Sequence, residues 1–119
     1  MGNSTNYLSV RISKELYEQF KDYCNSRDIS IAFAMELLVD ECIKHKNVPF
    51  PLGSYNEANL KYCGNESRQS IFIENEKREM FREICEDYIC LKMANVVKAF
   101  MIYCVTYRPR LPYSFDRSR

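Results

Sequence analysis

Six cysteines (Cys24, Cys42, Cys63, Cys85, Cys90 and Cys104) and one histidine, His45, are the residues of this 119-residue chain whose types suit metal, thiolate or redox chemistry. A structural zinc site needs converging thiolates and imidazoles, and in sequence it usually announces itself as paired Cys-x-x-Cys ligands. No such pair is present, and Cys42-x-x-His45 is only half a site. Five of the six cysteines fall in stretches with helical periodicity, several at apolar positions, where a thiol behaves as a small hydrophobe. Reduced, buried thiols are therefore expected, with no metal and no cofactor. Enzymatic constellations are equally thin. The chain has three glycines in all, no phosphate-cradling loop, no nucleophile elbow, and no carboxylate pair outside helical surfaces. It is not expected to be an enzyme.

The other candidates for chemistry are polar side chains on two alternating stretches. In the first, Leu8, Val10 and Ile12 point one way and Tyr7, Ser9, Arg11 and Ser13 the other. Period two over seven residues is a half-buried strand. In the second, Ile71 and Ile73 face in while Ser70 and Phe72 face out. Taken alone, Arg11 is an exposed charge on a sheet face.

Helical elements must position these strands. Ser13 is placed to cap a helix from Lys14, with Glu15 in its first turn and Leu16, Phe20, Tyr23 and Cys24 as its apolar stripe. Asn25-Ser-Arg-Asp28 should end it. Ser30 is the next cap, opening a helix from Ile31 to about Lys44 with Ala34, Met35, Leu38, Val39 and Cys42 on one face. Pro49, Pro51, Gly53 and Gly64 mark residues 47–67 as a connection, read as a plain linker with room for a turn of helix at Glu57–Tyr62. A strand over Gln69–Glu74 follows. A helix from Asn75 or Glu76 to about Asp87 then carries Met80, Phe81, Ile84, Cys85 and Tyr88 as its stripe. The last helix, from near Lys92 to Tyr107, is apolar almost all round and belongs at the centre of a core or in an oligomer contact.

The order strand–helix–helix thus occurs twice. Residues 8–43 and 69–104 align at a constant offset of 61. Ser9, Glu15, Glu18, Phe20 and Cys24 recur as Ser70, Glu76, Glu79, Phe81 and Cys85, and apolar positions pair as Val10 with Ile71, Ile12 with Ile73, Met35 with Val96, Leu38 with Ala99 and Val39 with Phe100. One such unit cannot bury its apolar faces alone, whereas two can. The chain divides into a first repeat at 1–46, a linker at 47–67, a second repeat at 68–107 and a basic tail at 108–119. Both repeats are close to neutral, and the net charge of +1 owes its sign to the tail, which has four arginines against one aspartate. No stretch approaches the roughly 18 uninterrupted apolar residues of a membrane span. The first residues, Met-Gly-Asn-Ser-Thr-Asn, lack the layout of a signal peptide. A cytoplasmic protein with no membrane partner is expected.

Leu8-Ser-Val-Arg-Ile-Ser-Lys-Glu-Leu16, then Phe20, then Ser30 opening a helix that holds Met35 and Leu38, resembles the ribbon-helix-helix (MetJ/Arc) superfamily of DNA-binding proteins. The first repeat matches over about 38 residues of sequence, and the second in pattern only. The resemblance implies a mainly α fold with a two-stranded antiparallel ribbon. The tandem β-α-α repeats would form a single-chain pseudo-dimer whose ribbon enters the major groove of double-stranded DNA. It implies base contacts from Tyr7, Ser9 and Arg11 in the first repeat and from Arg68, Ser70 and Phe72 in the second. Phe72 stands where the first repeat has an arginine and offers at most an apolar contact to a thymine methyl. Glu74 replaces Ser13 and would repel a nearby phosphate. Backbone amides at the start of each second helix would hold phosphates, at Ser30 and Ile31 and at Leu91 and Lys92. The tail, with Arg108, Arg110, Arg117 and Arg119 beside Tyr113 and Phe115, would follow the DNA backbone as a flexible arm. Copies binding side by side on DNA are a further implication.

Such a protein would be a transcriptional repressor or, on a different site, a relaxosome accessory protein of a plasmid or phage element. The competing expectation is a protein-binding scaffold, antitoxin-like or inhibitory. Its mark would be an exposed apolar patch around Phe72, Phe100 and Tyr103. An unrelated helical bundle is the remaining fold alternative.

Overall fold

In a computed structural model, which describes residues 7–52 and 66–115, strand β1 spans Tyr7–Ser13 with Leu8, Val10 and Ile12 buried and Tyr7, Ser9 and Arg11 exposed. Ser13 ends the strand and caps helix α1 (Lys14–Ser26), its hydroxyl accepting the Leu16 N–H at 3.0 Å. Leu16, Phe20, Tyr23 and Cys24 are the buried stripe of α1. Asp28 turns the chain in the left-handed region (φ 60°), which lets the Ile29 N–H donate to the Cys24 carbonyl at 3.0 Å. Ser30 then caps helix α2 (Ile31–His45), accepting the Phe33 N–H at 3.0 Å. Removing that acceptor strands a first-turn donor, so Ser30→Ala should lower stability by about 1 kcal/mol. Urea unfolding would read this as a lower midpoint at unchanged slope, and an unmoved midpoint would show that the cap contributes nothing.

The second repeat is strand β2 (Glu66–Phe72), helix α3 (Asn75–Ile84) running into a π-helical turn (Cys85–Ile89), and helix α4 (Met93–Tyr107). β2 begins earlier than its alternation indicates and ends at Phe72. The inward register positions opposite Ile12 and Val10 are Ser67 and Gln69, which leave no apolar signal. On α3 and the π-helical turn that continues it, Phe81, Ile84 and Cys85 are buried as expected, but Met80 and Tyr88 are 49% and 55% exposed. Tyr88 lies in the π-helical turn, where the Lys46 ammonium sits 5.0 Å from its ring centre.

That turn also corrects the repeat. The 61-residue offset holds through Cys24 and Cys85. Beyond them the equivalences shift by one. Left-handed Asp28 and Lys46 correspond to left-handed Cys90 and Arg108. The fully buried set Ala34, Met35, Leu38, Val39 and Cys42 corresponds to Val96, Val97, Phe100, Met101 and Cys104. The second repeat carries one extra residue, and the wider π turn absorbs it. There the Leu91 N–H closes back on the Cys85 carbonyl at 3.1 Å, as Ile29 does on Cys24.

The two strands pair antiparallel as the only sheet among the described residues. Beneath them each first helix packs on the other repeat's second helix, α1 against α4 and α2 against α3. The repeats are therefore interlocked around one core, a ribbon-helix-helix architecture in a single chain.

The connection is more than a linker. Phe50 is buried, with its ring centre 5.3 Å from that of Tyr103 and 5.9 Å from that of Phe100. The expected turn at Glu57–Tyr62 lies outside the described residues. The chain after α4 also belongs to the core. Leu111 is fully buried, the Tyr23 hydroxyl donates to the Pro109 carbonyl, Arg27 Nε donates to the Leu111 carbonyl at 2.7 Å, and the Tyr103 hydroxyl donates to the Phe115 carbonyl at 2.8 Å. No single helix among the described residues is long and apolar enough to cross a membrane.

Candidate nucleic-acid interface

The strand register decides which outward side chains become neighbours. Ser9 faces Ser70 at the centre, and these two are equivalent positions of the repeat, so the pseudo-twofold axis passes between them. On either side the pairs are Tyr7 with Phe72 and Arg11 with Arg68. Cross-strand partners point to the same face of a sheet, and all six residues are exposed. The six positions named from sequence thus form one continuous outer face of the ribbon.

That face has two unlike ends. At one, Arg11 and Arg68 stand directly opposite each other, and among the described residues neither has an ion-pair partner. Glu66, two register positions further, is taken by Lys98, whose Nζ lies 3.0 Å from its carboxylate. Lys98 lies in the second turn of α4, so this ion pair ties that helix to the end of β2 that carries Arg68. At the other end, Tyr7 and Phe72 meet edge to face with ring centres 5.7 Å apart. Phe72 continues into a cleft of about 340 Å³ that runs to the first turn of α2 and is lined also by Ser30, Phe33, Glu36, Glu74 and Lys77. Lys77 is engaged there with Asp40 at 2.9 Å and Glu36 at 3.3 Å, and the Asp40 carboxylate, seconded by Glu36, holds the Lys77 ammonium above its ordinary range.

The helix starts are unequal. At α2 the Ser30 hydroxyl already serves Phe33, while the amides of Ile31 and Ala32 begin the helix within reach of the Glu36 and Glu74 side of the cleft. At α4 the expected pair, Leu91 and Lys92, is displaced. The Leu91 N–H is bonded to the Cys85 carbonyl, Lys92 is the cap residue, and the first helical amides belong to Met93 and Ala94. The extra residue in the π turn accounts for this shift, and the exposed Lys92 ammonium adds a positive charge at the helix start.

The arginine-rich tail is not a free arm over its described part. Arg108 donates to the Ser26 hydroxyl at 3.0 Å and its guanidinium lies 5.3 Å from the Tyr23 ring centre. Both contacts are at the far end of α1 from the ribbon, about 20 Å away for a helix of this length. The Arg110 carbonyl accepts from the Tyr113 and Ser114 N–H groups in a turn. Arg117 and Arg119 lie outside the described residues. The expected apolar patch is also redrawn. Phe100 and Tyr103 are buried, and the exposed aromatics near Phe72 are Tyr7 and Phe33. Phe33 and Glu36 were not among the sequence candidates, whereas Glu74 was named there as a residue that would repel phosphate. The signal for the first two was their place on α2 away from its buried face.

Burial pushes the thiols of Cys24, Cys42 and Cys85 up to about 12, and that of Cys104 well above its ordinary value, so all four stay protonated at neutral pH. Cys90 is exposed, and Cys63 lies outside the described residues. Cys42 is buried in the core, whereas His45 is exposed beside Glu41 at 3.3 Å. Among the described residues no group of three His, Cys, Asp or Glu could hold a metal ion.

No protein-family model, curated protein or solved structure matches the chain.

Proposed function

We propose that this chain is a single-chain member of the ribbon-helix-helix (MetJ/Arc) superfamily that binds double-stranded DNA sequence-specifically, acting as a cytoplasmic transcriptional repressor. A two-stranded antiparallel ribbon fits the major groove. The observation that carries the reading is the outer face of the ribbon, above all Arg11 and Arg68 side by side. Like charges directly across a strand pair weaken a sheet. Two guanidinium groups kept in that position, with no described acid to neutralise them, are arranged for an acceptor-rich ligand. Guanine O6 and N7 are the acceptors arginine reads bidentately. The start of α4, with Lys92 and the Met93 and Ala94 amides, would hold a backbone phosphate. A relaxosome accessory role uses the same face on another site.

Titration against labelled duplex from the gene's own upstream region, at several salt concentrations, tests this. Arg11→Ala should weaken specific binding by about 1–3 kcal/mol and leave the fold intact. Absence of binding above background at low salt would sink the proposal. The scaffold reading would then gain, since Tyr7, Phe72 and Phe33 expose aromatic surface beside the cleft.

A further inference from the structure

We propose, on the basis of the DNA-binding reading, that the ribbon recognises a directional site. Adjacent guanines lie under the Arg11–Arg68 end, thymine methyls under the Tyr7–Phe72 end, and phosphate is gripped at the guanine end alone. The repeat by itself does not predict this, because it equates Arg11 with Phe72 and Arg68 with Tyr7. The antiparallel register converts those equivalences into opposite ends. Each repeat supplies one arginine and one aromatic, and both arginines arrive at the same end.

Three independent features share this polarity. Arg11 and Arg68 are cross-strand partners, so their Cα atoms are about 4.5–5.5 Å apart. At that separation two long arginine side chains can both reach neighbouring base pairs, which are stacked about 3.4 Å apart. Tyr7 and Phe72, also cross-strand partners, meet edge to face with ring centres 5.7 Å apart and present aromatic surface on the same outer face. The third feature is electrostatic. Lys98, in the second turn of α4, is bonded to Glu66 at the arginine end of the ribbon, and Lys92 caps the same helix. The start of α2 instead opens on the aromatic-end cleft lined by Glu36 and Glu74, where the lining cation Lys77 is already paired with Glu36 and Asp40 and the carboxylates oppose a phosphate. Arg11 and Tyr7 are four residues apart along β1, about 13 Å at strand rise. The guanine and thymine determinants should therefore sit about four base pairs apart.

Selection of binding sites from a random duplex library, run with the full chain and with Arg11→Ala, Arg68→Ala and Phe72→Ala, tests the proposal. The wild-type motif should lack dyad symmetry, with two adjacent guanines about four base pairs from a thymine preference. Each arginine variant should lose preference for one guanine by about 10- to 100-fold, and Phe72→Ala should relax the thymine end alone. Phosphate-ethylation interference should fall on the guanine side. A palindromic motif, guanine preferences unmoved by Arg68→Ala, or interference equal at both ends would overturn the directional model while leaving DNA binding intact. Failure of every duplex to bind would overturn both.

Discussion

Phe100→Ala is expected to destabilise the fold by about 3–5 kcal/mol, the range for emptying a fully buried aromatic site. Phe100 is fully buried on α4, and its ring centre lies 5.9 Å from that of Phe20 on α1, 5.9 Å from Phe50 in the connection and 6.0 Å from Phe115 in the tail. Three segments from three parts of the sequence converge on one side chain. Truncation leaves a cavity that no single segment can close by local movement. Domains of this kind have about 5–15 kcal/mol of total stability, so the loss would consume a large share of it. Urea unfolding at fixed protein concentration measures the change. A loss under about 1 kcal/mol would mean that the segments collapse onto one another without the ring, and that Phe100 is not where they are joined.

The first repeat is legible in sequence almost residue for residue. Its strand alternates cleanly, Ser13 and Ser30 sit one residue before each helix and do cap them, and the expected stripes are the buried ones. The second repeat hides its phase. Nine consecutive residues of α4, Val96 to Cys104, are buried and all but Lys98 are apolar, so a one-residue slip moves mostly apolar onto apolar and barely marks the pattern. The extra residue shows only in backbone geometry, at Cys90 and in the Leu91–Cys85 hydrogen bond. That slip is why the sequence puts the first amides of α4 one position early. The outward ribbon residues were likewise legible, because alternation alone assigns a face. Their pairing was not, because register depends on how two distant strands meet. The tail misled for a different reason. Four arginines dominate its composition, while its structural role rests on Leu111, Phe115 and carbonyl groups whose partners are far away in sequence.

Cutting the chain between residues 53 and 65 should convert a concentration-independent fold into a concentration-dependent one. The buried stripe of α1 packs on α4 and that of α2 lies over α3, so neither repeat keeps its core when the other leaves. In the intact chain the partner repeat is always present, at an effective concentration of the order of millimolar for two units joined by a short stretch of chain. In the cut chain it must be found in solution. At micromolar protein the difference is a factor of about a thousand, or about 4 kcal/mol of apparent stability. The expected result is a urea midpoint that ignores protein concentration before cleavage and falls on dilution after it, with the two fragments co-migrating only at high concentration. A midpoint unchanged by cleavage and dilution would mean that each repeat folds alone, which the crossed packing of α1 on α4 and α2 on α3 does not allow. The same linkage bears on DNA. Arg11 and Arg68 come from different repeats and are neighbours only while β1 and β2 are paired. On the DNA-binding proposal, cleavage should therefore weaken specific binding at dilutions where the fragments separate, even though Arg11 and Arg68 are both still present.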